Sequence, residues 1–168
     1  MPVARAVLFV ALTGAPACLA AQAPAAAPPP ASAPIRRISV GETVTAALSE
    51  RDSLYPDNTY FAIYQFTPTQ DTITIDLESD EFDPVLIIRG DDLAASIIND
   101  DGGPGCAARV SQTFRSRGPY QILVNTTSSP ERQTGRFTLS VSRGPKPVQA
   151  RDENDCVPPQ PVAGGAAT

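Results

Sequence analysis

Along four stretches of the chain, apolar and polar residues alternate with a period of two. In the segment 60–66, the residues Tyr60, Ala62, Tyr64 and Phe66 fall on one side of an extended chain. The same alternation occurs in three further segments: 72–77, 120–125 and 137–142. Successive side chains of a strand point to opposite faces, so each segment is predicted to be a strand with one face in a core and one toward water.

The rest of the central region also predicts strands. Val85–Ile88 is continuously apolar and predicts a strand covered on both faces, and Ala95–Ile98 predicts its partner in a hairpin through Arg89–Leu93. Turn residues such as Gly, Pro and Asp separate these segments, and no segment has a helical period. About eight short strands without a helix predict an all-β protein, and we expect a jelly-roll-like antiparallel β-sandwich.

The first 21 residues are predicted to be a secretory signal peptide. Arg5 precedes the apolar run Ala6–Leu12, and small residues lead to a cleavage site near Ala20. The run is too short to span a membrane. An alternative is lipid modification of Cys18, as in bacterial lipoproteins, which would anchor the chain in the envelope.

Composition divides the remainder into three parts. Residues 22–34 are rich in Ala and Pro and predict a disordered spacer, and residues 35–143 carry the strand pattern of one domain. Residues 144–168 form a Pro-rich C-terminal tail with a Gly/Ala finish. Removal or lipidation of Cys18 leaves Cys106 and Cys156, which predict a disulfide in an oxidising compartment, worth about 3–4 kcal/mol.

Acidic residues are concentrated between residues 71 and 101, within a chain of net charge −5. This charge argues against a nucleic-acid partner. Pairing of the two strands of the predicted hairpin would bring Asp83 and the run Asn99-Asp100-Asp101 to the same end of the hairpin. Their side chains could there offer oxygen ligands to calcium. The alternative is ordinary turn chemistry, in which Asx side chains bond to nearby amides beside Gly102 and Gly103.

The chain has no His, which excludes Ser-His-Asp and Cys-His relays and His-based zinc sites. Cys106 would have no imidazole to activate it as a nucleophile. A carboxylate pair such as Asp83 and Asp100 could hydrolyse glycosides, but such a pair needs a walled cleft. We therefore predict that the chain is not an enzyme, with a small hydrolase as the third-ranked hypothesis.

The order of several short segments resembles the bacterial pre-peptidase C-terminal domain. The resemblance covers about residues 36–142 and is carried by these segments: Ile38–Leu48, Tyr60–Phe66, Ile73–Ser79, Phe82–Ile88, Asn99–Asp101, Gly118–Val124 and Gly135–Val141. It implies a non-catalytic, jelly-roll-like sandwich that accompanies exported enzymes and that in some collagenases binds calcium and collagen. Asp83, Asp100 and Asp101 fall on recurrent acidic positions of the family pattern.

These observations predict a non-catalytic binding or accessory module, periplasmic or secreted, that recognises a protein or polysaccharide surface. It requires no cofactor, and calcium is the candidate ion. No mature segment is predicted to cross a membrane. The alternative hypothesis is a structural or assembly protein of the envelope, anchored as a lipoprotein through Cys18.

Overall fold

The computed structural model describes residues 33–69 and 71–149. Ten strands lie in these ranges: β1 Ile35–Arg37, β2 Thr43–Leu48, β3 Ser53–Leu54, β4 Tyr60–Phe66, β5 Thr72–Glu78, β6 Pro84–Arg89, β7 Ile97–Asn99, β8 Ala108–Thr113, β9 Tyr120–Thr126 and β10 Gly135–Arg143. Across this part of the chain we find no helix that is long and apolar enough to cross a membrane.

The strands form two sheets. The first sheet has the order β1-β4-β9-β6-β7, with β3 also paired to β4, and the second has the order β2-β10-β5-β8. All pairings are antiparallel except that of β1 with β4, which is parallel. The predicted all-β sandwich is therefore confirmed, with the parallel β1 as a local departure.

The core lies between the two sheets. Ile73, Ile75 and Leu77 of β5 are fully buried against inward-facing residues of the first sheet such as Leu86 and Ile122. At one end of the core, the rings of Phe66, Phe114 and Tyr120 pack with centroids 4.7–5.7 Å apart. Burial of this apolar surface is the main favourable contribution to folding.

The observed strands differ from the predicted ones in two respects. The structure has ten strands rather than about eight because β1 and β3 contain three and two residues, too few for an alternation to be visible. The hairpin of β6 and β7 is confirmed, with Leu86 opposite Asn99 and Ile88 opposite Ile97, but β7 begins at Ile97 rather than at Ala95.

The prediction that β5 has one face in water is wrong. Thr74 and Asp76, which point away from the core, are buried to 0% and 4% exposure. They are covered because residues 144–149 cross this face of the second sheet. Thr74 donates a hydrogen bond of 2.7 Å to the carbonyl of Gly144, and Lys146 Nζ lies 2.6 Å from Asp76.

Candidate binding surface

The outer face of the first sheet carries a row of aliphatic side chains that crosses five strands. The strand registers place Ile63 between Ile35 and Leu123, and place Ile87 between Leu123 and Ile98. We call these five residues the aliphatic row. Its two ends are open to solvent, since Ile35 is 53% and Ile98 is 64% exposed, whereas Leu123 at its centre is 1% exposed.

Tyr55 closes the middle of this face. Its ring lies 5.8 Å from the ring of Phe61 on β4 and 5.5 Å from the guanidinium of Arg89 on β6. Arg89 Nη2 also donates a hydrogen bond of 2.7 Å to the Tyr55 hydroxyl. Because β9 lies between β4 and β6, Tyr55 spans β9 and its Leu123. The centre of the aliphatic row is therefore a second small core and not an open surface.

A row of polar side chains lies two residues further along the same strands. Gln65 is opposite Arg37 and Gln121, and Gln121 is opposite Arg89, so the row crosses β1, β4, β9 and β6. Two surface depressions border this row, one at the β1 end of the sandwich and one beside β6, and both are lined by Gln65. We call these two depressions, joined by Gln65, the arginine groove.

The walls of the arginine groove extend beyond the row. On the β1 side they include Arg143, at the end of β10, and the hydroxyl residues Thr67 and Thr69. On the β6 side they include Asp91 and Pro119. The lining of the arginine groove therefore contains three arginines and one carboxylate, with the apolar residues Ile38, Val40 and Phe66 at its β1 end.

Four polar side chains of the arginine groove have no partner in the described part of the chain. Within residues 33–69 and 71–149, the side chains of Arg37, Arg143, Gln65 and Gln121 form no hydrogen bond or ion pair. Arg89 and Thr69 are engaged, since Tyr55 holds Arg89 in place and the Thr69 hydroxyl donates a hydrogen bond of 3.2 Å to Asp71. Guanidinium and amide groups that are oriented by strands and left unbonded are available to a ligand.

The carboxylate of Asp92, next to the groove, is engaged elsewhere. It accepts a hydrogen bond of 2.6 Å from the Tyr120 hydroxyl. Burial of that hydroxyl, together with its bond to Asp92, raises the pKa of Tyr120 above its usual value. Tyr120 thus remains neutral at physiological pH, and Asp91 is left as the carboxylate that lines the groove.

The predicted calcium residues lie at one end of the β6–β7 hairpin, as the sequence suggested. Asn99 ends β7, Asp83 precedes β6, and Asp100 is exposed. The amide oxygen of Asn99 accepts two backbone hydrogen bonds, from Gly102 at 2.7 Å and from Arg109 at 3.0 Å. The side chain of Asn99 therefore closes the turn by bonding to nearby backbone amides, as Asn and Asp side chains commonly do in turns.

Among the predicted calcium ligands, the side chain of Asn99 is already engaged by the turn. Calcium takes about six to eight oxygen ligands, and the oxygen of Asn99 is already bonded to backbone amides. In the part of the chain that the structure describes, no three His, Cys, Asp or Glu side chains are grouped so as to hold a metal ion. The site at Asp83, Asn99, Asp100 and Asp101 stays a prediction, to be tested by melting in EDTA and then in millimolar calcium.

The cysteine predictions involve residues outside the described ranges. Cys106 lies in a turn closed by a hydrogen bond of 2.7 Å from Gly103 to the carbonyl of Ala107. Cys156 and Cys18 fall outside residues 33–149, as do the predicted signal peptide and most of the predicted spacer. The Cys106–Cys156 disulfide and lipidation of Cys18 therefore stay predictions.

Sequence reasoning did not identify two features of the molecule. One is the buried carboxylate of Asp76, which is bonded to both Arg109 and Lys146. The other is the arginine groove, whose central row comes from four strands. The available signal was that Gln65 and Gln121 occupy outward positions of strands that were predicted from their apolar residues.

No protein-family model matches the chain, and no curated protein matches its sequence. A search of solved structures finds the pre-peptidase C-terminal domain of collagenase from Bacillus anthracis, with a TM-score of 0.50 and 16% sequence identity. The match covers 66% of this chain and 96% of that chain. PliG from Salmonella Typhimurium, a periplasmic inhibitor of g-type lysozyme, matches with a TM-score of 0.42, 9% identity, and coverage of 63% and 96%.

The described residues form a β-sandwich in which a row of polar side chains crosses the outer face of one sheet. The sandwich has the fold of a pre-peptidase C-terminal domain, which confirms at the level of fold the resemblance seen in the sequence. At 16% identity, this likeness establishes the fold alone.

Proposed function

We propose that the chain is a non-catalytic, exported accessory module that binds a protein or polysaccharide surface through the arginine groove. The observation that carries the proposal is the row of Arg37, Gln65, Gln121 and Arg89, aligned by strand register along two joined depressions. A rigid sheet holds these side chains in fixed positions, which lowers the entropic cost of binding.

The fold supports the accessory role. The Bacillus anthracis structure is a pre-peptidase C-terminal domain of a collagenase, which is one part of a larger enzyme. Fold alone does not determine function, so the role must be argued from the surface of this chain. The groove offers cations and amides for recognition, and its one carboxylate, Asp91, has no second carboxylate in the groove lining to act with it as an acid–base pair.

The proposal that the chain is exported rests on the predicted signal peptide. The N-terminus of the mature chain distinguishes a released module from a lipid-anchored envelope protein. Cleavage near Ala20 would release a periplasmic or secreted module, whereas lipidated Cys18 would anchor it. Mass spectrometry of the mature N-terminus separates these outcomes. The binding surface is the same in both cases.

A bulky residue in the groove provides a test that does not depend on the charge of the ligand. Gln65 lines both depressions, so we expect Gln65→Trp to fill the point at which they meet. The matched control is Thr45→Trp, at an exposed position of β2 in the second sheet. Binding of each protein to immobilised collagen, peptidoglycan and acidic and neutral polysaccharides would be measured by interferometry.

We expect the unmodified chain and Thr45→Trp to bind at least one of these surfaces, and Gln65→Trp to lose that binding with an unchanged melting temperature. Equal binding by both tryptophan variants would place the binding surface elsewhere and contradict the proposal. Turnover of any tested polymer by the purified chain would contradict the non-catalytic assignment.

A further inference from the structure

We propose that the ligand of the arginine groove is an anionic polysaccharide. This inference rests on the proposed function, because it assigns a ligand class to the same groove. The first argument is chemical. Planar guanidinium groups bind carboxylate and phosphate oxygens through two parallel hydrogen bonds, and the groove contains three of them, on Arg37, Arg89 and Arg143.

The spacing of the arginines favours an extended ligand. Arg37 on β1 and Arg89 on β6 are separated by three strand-to-strand steps, through β4 and β9. At the usual spacing of neighbouring strands, their Cα atoms are about 14 Å apart. Because Tyr55 holds the Arg89 guanidinium in place, Arg89 does not extend along the row toward Arg37, so the two arginines suit a chain with separated negative groups.

The groups between the arginines favour a sugar chain. Gln65 and Gln121 each present an amide that both donates and accepts hydrogen bonds, and Thr67 adds a hydroxyl group on the β1 side. Sugar hydroxyls also donate and accept, so they can pair with every one of these groups. The ligand therefore carries hydroxyls between its negative charges.

The direction of the groove argues against a bound peptide. Peptides that bind to β domains commonly add as a strand at a sheet edge, where the main chain forms the hydrogen bonds. The arginine groove instead runs across β1, β4, β9 and β6, and of these strands β4, β9 and β6 are paired on both sides, so only β1 has an edge to which a peptide strand could add. A polysaccharide has no backbone amides that need partners, so it can lie across the strands.

The charge of the whole chain makes the groove selective. The chain carries a net charge of −5, and the surface outside the groove therefore repels a polyanion on average. Within the groove, Asp91 opposes the three arginines, while the neighbouring Asp92 is bonded to Tyr120. We expect binding to be confined to the arginine groove and to weaken as salt rises.

The test uses polygalacturonate as an acidic polysaccharide, dextran as a neutral one and poly-L-glutamate as an acidic peptide. Binding of the full exported chain to each labelled polymer would be measured by fluorescence anisotropy at low and physiological salt. The variant Arg37→Gln/Arg89→Gln removes the two arginines of the row. The control Arg51→Gln/Arg136→Gln removes the same charge outside the groove. Because Arg89 also holds Tyr55, Arg37→Gln alone serves as a variant that leaves this contact intact.

We expect polygalacturonate to bind more tightly than dextran and poly-L-glutamate. The groove double variant should bind it about tenfold or more weakly, and Arg37→Gln should also weaken binding, whereas the control double variant should not. Equal loss in both double variants would show non-specific attraction and overturn the inference. Tighter binding of poly-L-glutamate would assign the groove to an acidic protein.

The same data separate failure of this inference from failure of the proposed function. If polygalacturonate does not bind but another surface does, and Gln65→Trp abolishes that binding, the ligand class is wrong and the binding module stands. If Gln65→Trp changes no binding at all, the groove is not the binding site and both proposals fail.

Discussion

Gly102 lies where the chain has no space for a side chain. A Cβ atom at this position would lie 2.6 Å from the carbonyl oxygen of Arg109 and 2.8 Å from Oδ1 of Asn99. The first of these atoms belongs to the backbone of a strand and cannot move away freely. We expect Gly102→Ala to lower the free energy of unfolding by about 1–3 kcal/mol, as overpacking does elsewhere, measured by urea denaturation.

Gly118→Ala is the matched control for this substitution. A Cβ atom at Gly118 would meet the side-chain hydroxyl of Ser116 at 3.2 Å, which can rotate. We expect a clearly smaller loss of stability. An equal loss in the two variants would mean that the close approach of Arg109 to Gly102 is not what excludes a side chain.

The carboxyl group of Asp57 is expected to make the free energy of unfolding depend on pH at low pH. Burial acts to raise the pKa of its carboxyl, but hydrogen bonds from Thr59 and Ser128 outweigh this and hold the pKa below its ordinary value of 3.8. A carboxyl whose pKa is lowered by folding stabilises the protein above the unfolded pKa, and this contribution is lost as pH falls through the folded value. We therefore expect the free energy of unfolding to fall with pH below about 4.

Urea denaturation between pH 5 and pH 2.5 measures this effect, and Asp57→Asn is the test variant, since it keeps the shape and removes the titration. The variant should lose less stability across this range than the unmodified chain. Some decline should remain, because hydrogen bonds from Arg136 also lower the pKa of Glu81. Identical pH profiles for the two proteins would contradict the assignment to Asp57.

At the scale of elements, residues 144–149 form a cover over the outer face of β5 and β8. The cover is held by Asp76, which accepts hydrogen bonds from Arg109 and Lys146, and by Arg109, which also donates to the carbonyl of Pro147 at 3.0 Å. The side chains of Asp76 and Arg109 are 5% and 11% exposed. Their charges are therefore largely out of water and depend on each other for compensation.

We expect Asp76→Ala to destabilise the protein by about 3 kcal/mol or more, because it leaves the buried guanidinium of Arg109 without its carboxylate. Thermal and urea denaturation measure the loss. Glu81→Ala is the control, since it removes a carboxylate from the exposed pair with Arg136, where solvent screening leaves little to lose. A loss at Asp76 no larger than that at Glu81 would contradict this interpretation.

β5 also shows what the sequence can and cannot predict. Its alternation predicts the strand and the inward positions of Ile73, Ile75 and Leu77, because a period of two is a local property. It does not predict that Asp76 is buried, since the residue that covers it is Lys146, 70 positions away. Long-range contacts of this kind depend on the path of the chain between elements.

The same reasoning applies to the candidate sites. The turn at Asn99 follows from local chemistry and was one of the two interpretations drawn from the sequence. The arginine groove depends on the order of four strands and on the register of each pairing, and it becomes visible when Gln65, Gln121, Arg37 and Arg89 are placed side by side. A sequence with no known register cannot place residues from β1, β4, β9 and β6 in one row.

At the scale of the whole molecule, the described part of the C-terminal segment ends beside the loop that carries Cys106. The amide of Gln149 donates a hydrogen bond of 2.9 Å to the carbonyl of Gly102, and the turn containing Cys106 follows directly. Cys156 is seven residues beyond Gln149, and an extended chain of that length reaches about 23 Å. The path of the segment therefore supports the predicted disulfide between Cys106 and Cys156.

We expect this disulfide to stabilise the protein by about 3–4 kcal/mol, because it closes a long loop and restricts the unfolded chain. Cys156→Ser should lower the free energy of unfolding by about this amount, and reduction of the unmodified chain should have the same effect. The reductant should not change the stability of Cys156→Ser, which serves as its own control. Quantitative alkylation of both thiols in the denatured, unreduced protein would show that the bond is absent. In that case the hydrogen bonds of Gly144, Lys146, Pro147 and Gln149 would hold the segment in place without a covalent link.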